Sequence, residues 1–142
     1  MLVDANILLY SVDASSPFHD RADEWMVSAL NGDRRVGLPW MSLLAFLRIA
    51  TNPRASERPL STSEAWEHVD GWLNARPVWT PEPGPGYRSI LRDLMTGLDV
   101  RAGLVTDAYL AALCIEHGLT IVSADSDFAR FPDITWMNPI AS

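Results

Sequence analysis

The chain has 142 residues, of which 48% are hydrophobic, so it can bury one core and fits a single domain over residues 1–142. Its net charge of −7 repels nucleic acid, so such a substrate would have to be held by local arginines or bound cations. All 11 basic residues are Arg, which excludes mechanisms that need a lysine amine.

The sequence carries no predicted membrane or export segment. No apolar run approaches the roughly 18 residues that span a bilayer. Met1 leads directly into "LVDANILLY", without the positive region and cleavage site of a signal peptide. The lone Cys114 cannot form an internal disulfide and is expected in the core. A cytoplasmic protein is therefore expected.

Predicted strands and helices alternate along the chain. "MLVD" indicates a buried strand, and Ser16 followed by Pro17 predicts the N-cap and first position of a helix. Ser61 and Glu64 form a capping box. The first half of the chain is predicted to contain a strand at 1–4, a helix at 17–30, a short strand at 35–39, a helix at 40–50 and a helix from 62 to about 74. The second half is predicted to contain a strand at 77–79, a loop at 80–86, two helices that end at Gly97 and Gly118, and strands at 119–123 and 134–137.

This alternation predicts an α/β fold with a mainly parallel central sheet flanked by helices. Ligands of such sheets collect beyond the carboxyl ends of the strands. Asp4 ends the first strand, and Asp125 follows the strand "TIVS". Asp107 opens a helix at the same predicted edge. Three separate segments are thus expected to direct carboxylates toward one place.

Such a cluster would suit a hard divalent cation, Mg²⁺ or Mn²⁺, because all its ligand atoms are oxygens. The three histidines lie far apart in sequence, and no Cys/His pair has zinc spacing. Each aspartate also has a structural interpretation. Asp4 could be a turn residue, Asp107 could favour the helix dipole, and Asp125 with Asp127 could form an Asx-type turn.

Three motifs in this order resemble the PIN-domain family, and in particular the VapC-type toxins of bacterial toxin–antitoxin pairs. They are "MLVDANILLY", "VTDAYLAALCIEHG" and "TIVSADSDFARF". The resemblance covers nearly the whole chain and implies a Rossmann-like PIN domain. It also implies a metal-dependent ribonuclease that uses Mg²⁺ or Mn²⁺, a cognate antitoxin protein, an RNA substrate and a homodimer.

The motif positions imply the site residues. Asp4 matches the first acid of the family, Asp107 the third and Asp125 the fourth. Asp127 matches an additional acid that many members carry. Asn6 matches the polar residue beside the first acid, which it can orient. Catalysis is expected from Asp4, Asp107 and Asp125, and Asp127 is expected to join them as a metal ligand.

The chain departs from the family at the second acid. The usual Glu aligns with Ala45 in "MSLLAFLRIATNP". Ser42, Ala45 and Arg48 are spaced by three and share a helix face that lacks a carboxylate. This loss predicts weaker Mg²⁺ binding and one firmly held metal instead of two, which Asp127 could offset. Arg48 is a predicted phosphate clamp, although an intramolecular or surface ion pair is an equal alternative.

Other functions stay open. One alternative is a PIN-like module that has lost an acid and binds RNA or protein without catalysis. A metal-dependent phosphatase is a third hypothesis. Haloacid-dehalogenase phosphatases and receiver domains usually need a Lys, and no P-loop is present. Six Trp are many for this length, so helices such as 40–50, although mainly core, can also supply an interface. An antitoxin Arg or Lys would fit the acidic pocket.

Overall fold

The structure is a computed structural model that describes residues 1–141. Within these residues, no helix is long and apolar enough to cross a membrane. In chain order the elements are β1 (Leu2–Val3), α1 (Ala5–Val12), α2 (His19–Leu30), β2 (Val36–Gly37), α3 (Trp40–Ala50), α4 (Thr62–Leu73), β3 (Val78–Trp79), α5 (Tyr87–Leu98), α6 (Leu104–His117), β4 (Thr120–Val122), a 3₁₀ helix (Ser126–Arg130) and β5 (Thr135–Met137).

The five strands form one parallel sheet in the order β3-β2-β1-β4-β5. In the centre, Leu2 of β1 pairs with Gly37 of β2 on one side and with Ile121 of β4 on the other. This arrangement confirms the predicted α/β class with a parallel sheet. It also places β1 and β4 side by side, although about 120 residues separate them in sequence.

Helices cover both faces of the sheet and complete two apolar layers. Successive residues of a strand point to opposite faces, so Val3 joins the layer of α1, α2, α3 and α4, whereas Leu2 joins the layer of α5 and α6. Phe46 is fully buried in the first layer and Phe128 in the second. Cys114 is buried in the second layer, as the sequence predicts. Because the strands have only two or three residues, these layers provide most of the packing.

Two helix starts differ from the sequence prediction. Helix α1, which the sequence analysis did not assign, begins immediately after Asp4 and buries Ala5, Ile7 and Leu8. The prediction that Ser16 caps the next helix was wrong by two residues, because the N-cap of that helix is Phe18. The Ser16 hydroxyl accepts a hydrogen bond from the Phe18 N–H in a turn, and α2 begins at His19.

The predicted capping box and one predicted helix end have different outcomes. The Glu64 N–H donates to the Ser61 hydroxyl at 3.1 Å, and the Ser61 N–H donates to Glu64 Oε1 at 3.0 Å, which confirms the box at the start of α4. Gly97 does not end α5. The helix continues to Leu98, and Asp99 ends it in the left-handed region with φ of 50°.

Candidate active site

The acidic site lies at the edge of the sheet where β1 and β4 end. These neighbouring strands are parallel, so Asp4 after β1 and Asp125 after β4 reach the same edge. Helix α6 leads into β4 through a short turn and therefore starts at this edge, with Asp107 in its first turn. The topology thus unites three chain segments that are remote in sequence.

Three of the four predicted acids form a tight group. One carboxylate oxygen from each of Asp107, Asp125 and Asp127 lies within 4.8 Å of those of the other two. The Asp127 N–H donates to Asp125 Oδ1 at 2.9 Å, so the start of the 3₁₀ helix sets the orientation of both residues. All three are half-buried. An all-oxygen set at this spacing suits a hard divalent cation.

Asp4 lies beside this group and is held by other residues. It caps α1, because its Oδ1 accepts from the Ala5 N–H at 2.8 Å. Its Oδ2 accepts from the Ser123 hydroxyl at 2.8 Å and from Asn6 Nδ2 at 3.3 Å. Burial raises the pKa of Asp4, with a smaller contribution from the charge of Asp125, and these effects exceed the lowering by the hydrogen bonds.

Ser123 links Asp4 to the segment that carries Asp125 and Asp127, and it was not predicted from the sequence. Its fully buried hydroxyl donates to Asp4 and accepts from Asn6 Nδ2 and from the Asp125 N–H, each at 3.0 Å. Asn6 Oδ1 in turn accepts from the Ala124 N–H at 3.1 Å. The donor and both lone pairs of the Ser123 hydroxyl are therefore used. The sequence pattern that could have identified Ser123 is a hydroxyl residue between a buried strand and an acid.

Asp107 is the least stabilised of the acids. Within residues 1–141 its carboxylate accepts no hydrogen bond that would favour the ionised form. Burial raises its pKa to about 6, and the charges of Asp125, Asp4 and Asp127 contribute in that order. A bound cation would relieve this repulsion, so the residues fit the divalent metal that the chemistry of the site calls for.

Arg48 does not contact the acidic group. It is exposed, forms no ion pair within residues 1–141, and is not among the neighbours that shift the pKa of Asp4 or Asp107. Helix α3 starts at the site edge, and Arg48 lies about 12 Å further along the helix axis than Trp40. Its role as a phosphate clamp stays a prediction.

A different guanidinium lies at the site. Arg130 Nε is 3.5 Å from Oδ1 of Asp127, which lies one helical turn before Arg130. The Arg130 side chain is 65% exposed. The sequence analysis missed Arg130 because its position depends on the 3₁₀ helix that follows Asp125.

The face of α3 where the family Glu would stand changes from buried to exposed along the helix. Ser42 is buried, and its hydroxyl has no hydrogen-bond partner within residues 1–141. Ala45 is half-buried one turn later, and Arg48 is exposed. No acid is present on this face of α3, so the acidic residues of the site are the four aspartates.

Comparisons with known proteins agree with this geometry. The family model of the PIN domain matches residues 1–134. The chain is 43% identical to Ribonuclease VapC37 of Mycobacterium tuberculosis over 140 residues, which cover 99% of this chain and 97% of that protein. Identity to Ribonuclease VapC33 of the same species is 40%, covering 99% and 98%.

A solved structure shares the fold. VapBC2 from Rickettsia felis, crystallised with a DNA fragment from its promoter, superposes with a TM-score of 0.70 at 14% identity and covers 96% of each chain. At this identity the likeness shows the fold alone.

Proposed function

The chain belongs to the PIN domain family, and from this premise we propose that it is an endoribonuclease and the toxin of a toxin–antitoxin pair. It would hydrolyse RNA phosphodiester bonds at the acidic cluster. The observation that carries the proposal is the convergence of Asp107, Asp125 and Asp127, whose carboxylate oxygens lie within 4.8 Å of one another.

In this proposal, all four aspartates of the site, Asp4, Asp107, Asp125 and Asp127, would take part in holding Mg²⁺ or Mn²⁺. When bound, the cation supplies an activated water and neutralises charge on the phosphate. Asp4 and Asp125 act as direct ligands, and Asp107 acts as a ligand or orients the water. Ser123 and Asn6 hold the Asp4 carboxylate in one orientation through their hydrogen bonds to Oδ2.

The acidic character of the chain fits this proposal. Four carboxylates at one edge would repel RNA unless a cation were present. In this proposal, RNA therefore binds only when a bound cation offsets the negative charge of the four aspartates. Because RNA is cytoplasmic, we also place the protein in the cytoplasm.

For the partner, we propose a cognate antitoxin, as in the VapBC2 complex of R. felis. Trp40 and Trp66 are 39% and 38% exposed, and their ring centroids are 6.3 Å apart, next to Leu44 at 57%. Exposed apolar side chains that lie together in this way favour a protein interface. An antitoxin Arg or Lys would fit the acidic cluster, and a homodimer remains part of the proposal.

The test is metal-dependent cleavage of a mixed RNA pool. We expect cleavage with Mn²⁺ or Mg²⁺, none with EDTA, and a large loss in Asp4→Ala and Asp125→Asn. Asp70→Asn, an exposed acid on α4, is the matched control and should keep full activity.

Absence of cleavage of any RNA at saturating Mn²⁺ would contradict the proposal and favour a PIN-like binding module. The missing carboxylate at Ala45 is the feature that would explain such a result. Turnover of small phosphate esters without RNA cleavage would instead indicate a phosphatase.

A further inference from the structure

A cleft opens beside the acidic cluster, between the start of α6 and the end of the 3₁₀ helix. It has a volume of about 350 Å³ and is lined by Leu98, Val100, Leu104, Arg130 and Phe131. Three of these five residues are aliphatic, Phe131 is buried, and Arg130 supplies the only charge among the lining residues. The lining therefore combines an apolar surface with one guanidinium.

The cleft and the cluster share their walls. On α6, Leu104 of the cleft lies one turn before Asp107 of the cluster, so both occupy the same helix face. On the 3₁₀ helix, Arg130 of the cleft contacts Asp127 of the cluster at 3.5 Å. A molecule that reaches the cluster therefore meets the cleft next.

We propose that this cleft binds the nucleotide next to the scissile phosphate and so selects the RNA sequence that is cut. This inference rests on the proposed ribonuclease function. The base would pack against Leu98, Val100 and Leu104. The Arg130 guanidinium would pair with the adjoining phosphate or stack on the base, two contacts that guanidinium groups make with nucleic acid.

The contact between Arg130 and Asp127 is weak enough for Arg130 to leave Asp127 and bind an RNA phosphate. The side chains are 65% and 43% exposed, and exposed ion pairs of this kind contribute little free energy. Once a cation shares the Asp127 carboxylate, the guanidinium loses little by turning to a phosphate. Among residues 1–141 it is the one Arg that forms an ion pair with a member of the cluster, so it is the nearest counter-charge for RNA.

The wall that carries Val100 has an unusual backbone. Asp99 and Ala102 have φ of 50° and 51°, a left-handed conformation that is unfavourable for residues with a Cβ. Together they fold the segment between α5 and α6 so that Leu98, Val100 and Leu104 all line one cleft.

The first experiment measures RNA affinity separately from cleavage. With saturating Mn²⁺ present, a fluorescently labelled single-stranded RNA is titrated against the full chain carrying Asp125→Asn, which blocks hydrolysis. Adding Arg130→Gln should weaken binding about tenfold, the loss expected for a charge-assisted contact. Arg92→Gln is the matched control, because the Arg92 side chain is 62% exposed and pairs with Asp93 at 3.3 Å but lies outside the cleft.

The second experiment reads sequence preference. The wild type and variants, with Mn²⁺ present, cleave an RNA pool of random sequence, and the ends are sequenced. Leu104→Ala should change the preferred base at one position beside the cut, whereas Leu104→Met should retain the preference. Val105→Ala is the control, because Val105 is 40% exposed on the same turn and does not line the cleft.

The outcomes separate the two proposals. If the wild type cleaves RNA but Arg130→Gln binds like Arg92→Gln and Leu104→Ala keeps the same preference, the cleft is not a nucleotide subsite and the ribonuclease proposal stands. If the wild type does not cleave any RNA, the ribonuclease proposal fails and the subsite fails with it. Weaker binding by Arg130→Gln together with an altered preference supports both.

Discussion

Helix α6 carries a carboxylate near each end, and the two have opposite surroundings. Near the carboxyl end, Glu116 Oε1 accepts from the Gly84 N–H at 2.7 Å and Oε2 accepts from the Gly86 N–H at 2.9 Å. In the first turn, Asp107 accepts no hydrogen bond within residues 1–141 and faces three other aspartates, which together with burial raise its pKa to about 6.

The difference separates an acid whose charge the fold satisfies from an acid whose charge it leaves without donors. Glu116 is only 12% exposed, yet its charge is satisfied by two amides, so it fixes the loop at 80–86 against α6. A Cβ on Gly84 would lie 2.8 Å from Glu116 Oε2, so a larger residue there would displace the Glu116 carboxylate. The repulsion around a half-buried acid without donors, in contrast, is relieved by a bound cation or by a proton.

The largest expected effect is on activity at Asp107. Asp107→Asn should reduce RNA cleavage about 100-fold or more, because a lost cation ligand removes several kcal/mol of transition-state stabilisation. The free energy of unfolding without metal should stay the same or rise, since repulsion is removed. Steady-state cleavage and urea titration check the two parts. Loss of stability with retained activity would reverse the assignment of the two acids.

Glu116 should show the converse behaviour. Glu116→Ala should lower the free energy of unfolding by about 3 kcal/mol, because two backbone amides lose a charged acceptor. Cleavage per folded molecule should not change below the unfolding transition. The control is Glu67→Ala, an exposed acid on α4, which should have little effect. Equal stability of both variants in urea would show that Glu116 does not hold the loop.

A smaller effect should appear in the pH dependence of stability without divalent cation. Because the folded state raises the pKa of Asp107 from 3.8 to about 6, it binds the proton more tightly than the unfolded chain does. Stability should therefore fall as pH rises from about 4 to about 6 and then level off, relative to Asp107→Asn. Saturating Mn²⁺ should remove the difference. Parallel profiles without metal would contradict this account of Asp107.

The smallest expected effect concerns an acid that the chain lacks. Ala45→Glu should tighten Mn²⁺ binding several-fold, because affinity rises with ligand charge. Leu44→Glu adds the same charge at a neighbouring position that is 57% exposed and is the matched control. Calorimetric titration of both variants with Mn²⁺ measures the two dissociation constants. An unchanged dissociation constant for Ala45→Glu would mean that this position does not face the cluster.

Sequence patterns predicted the elements whose signals are local. Helix α3 occupies residues 40–50 as predicted, because "LP" before it and "TNPR" after it bracket one apolar run. Helix α1 escaped prediction because no loop separates it from β1. Asp4 both ends the strand and caps the helix, so the apolar residues that follow read as one continuous segment. Gly97 was a misleading signal, since the residue that leaves the helix is Asp99.

The site was predictable to the extent that strand ends identify it. Parallel strands bring Asp4 and Asp125 to one edge, and Asp107 follows because α6 runs into β4. Ser123 and Arg130 were not predictable in this way. Their roles depend on a hydroxyl shared between distant segments and on a 3₁₀ turn that brings Arg130 to Asp127, neither of which has a periodic sequence signal.

The Ser123 hydroxyl has a consequence for biosynthesis. It bonds to Asp4, which leaves the ribosome 119 residues earlier, and strand β4 has to insert beside β1 before this bond can form. A nascent polypeptide that ends before β4 contains Asp4 and Asp107 but neither Asp125 nor Asp127. The four aspartates can therefore come together only after β4 and the 3₁₀ helix have been synthesised.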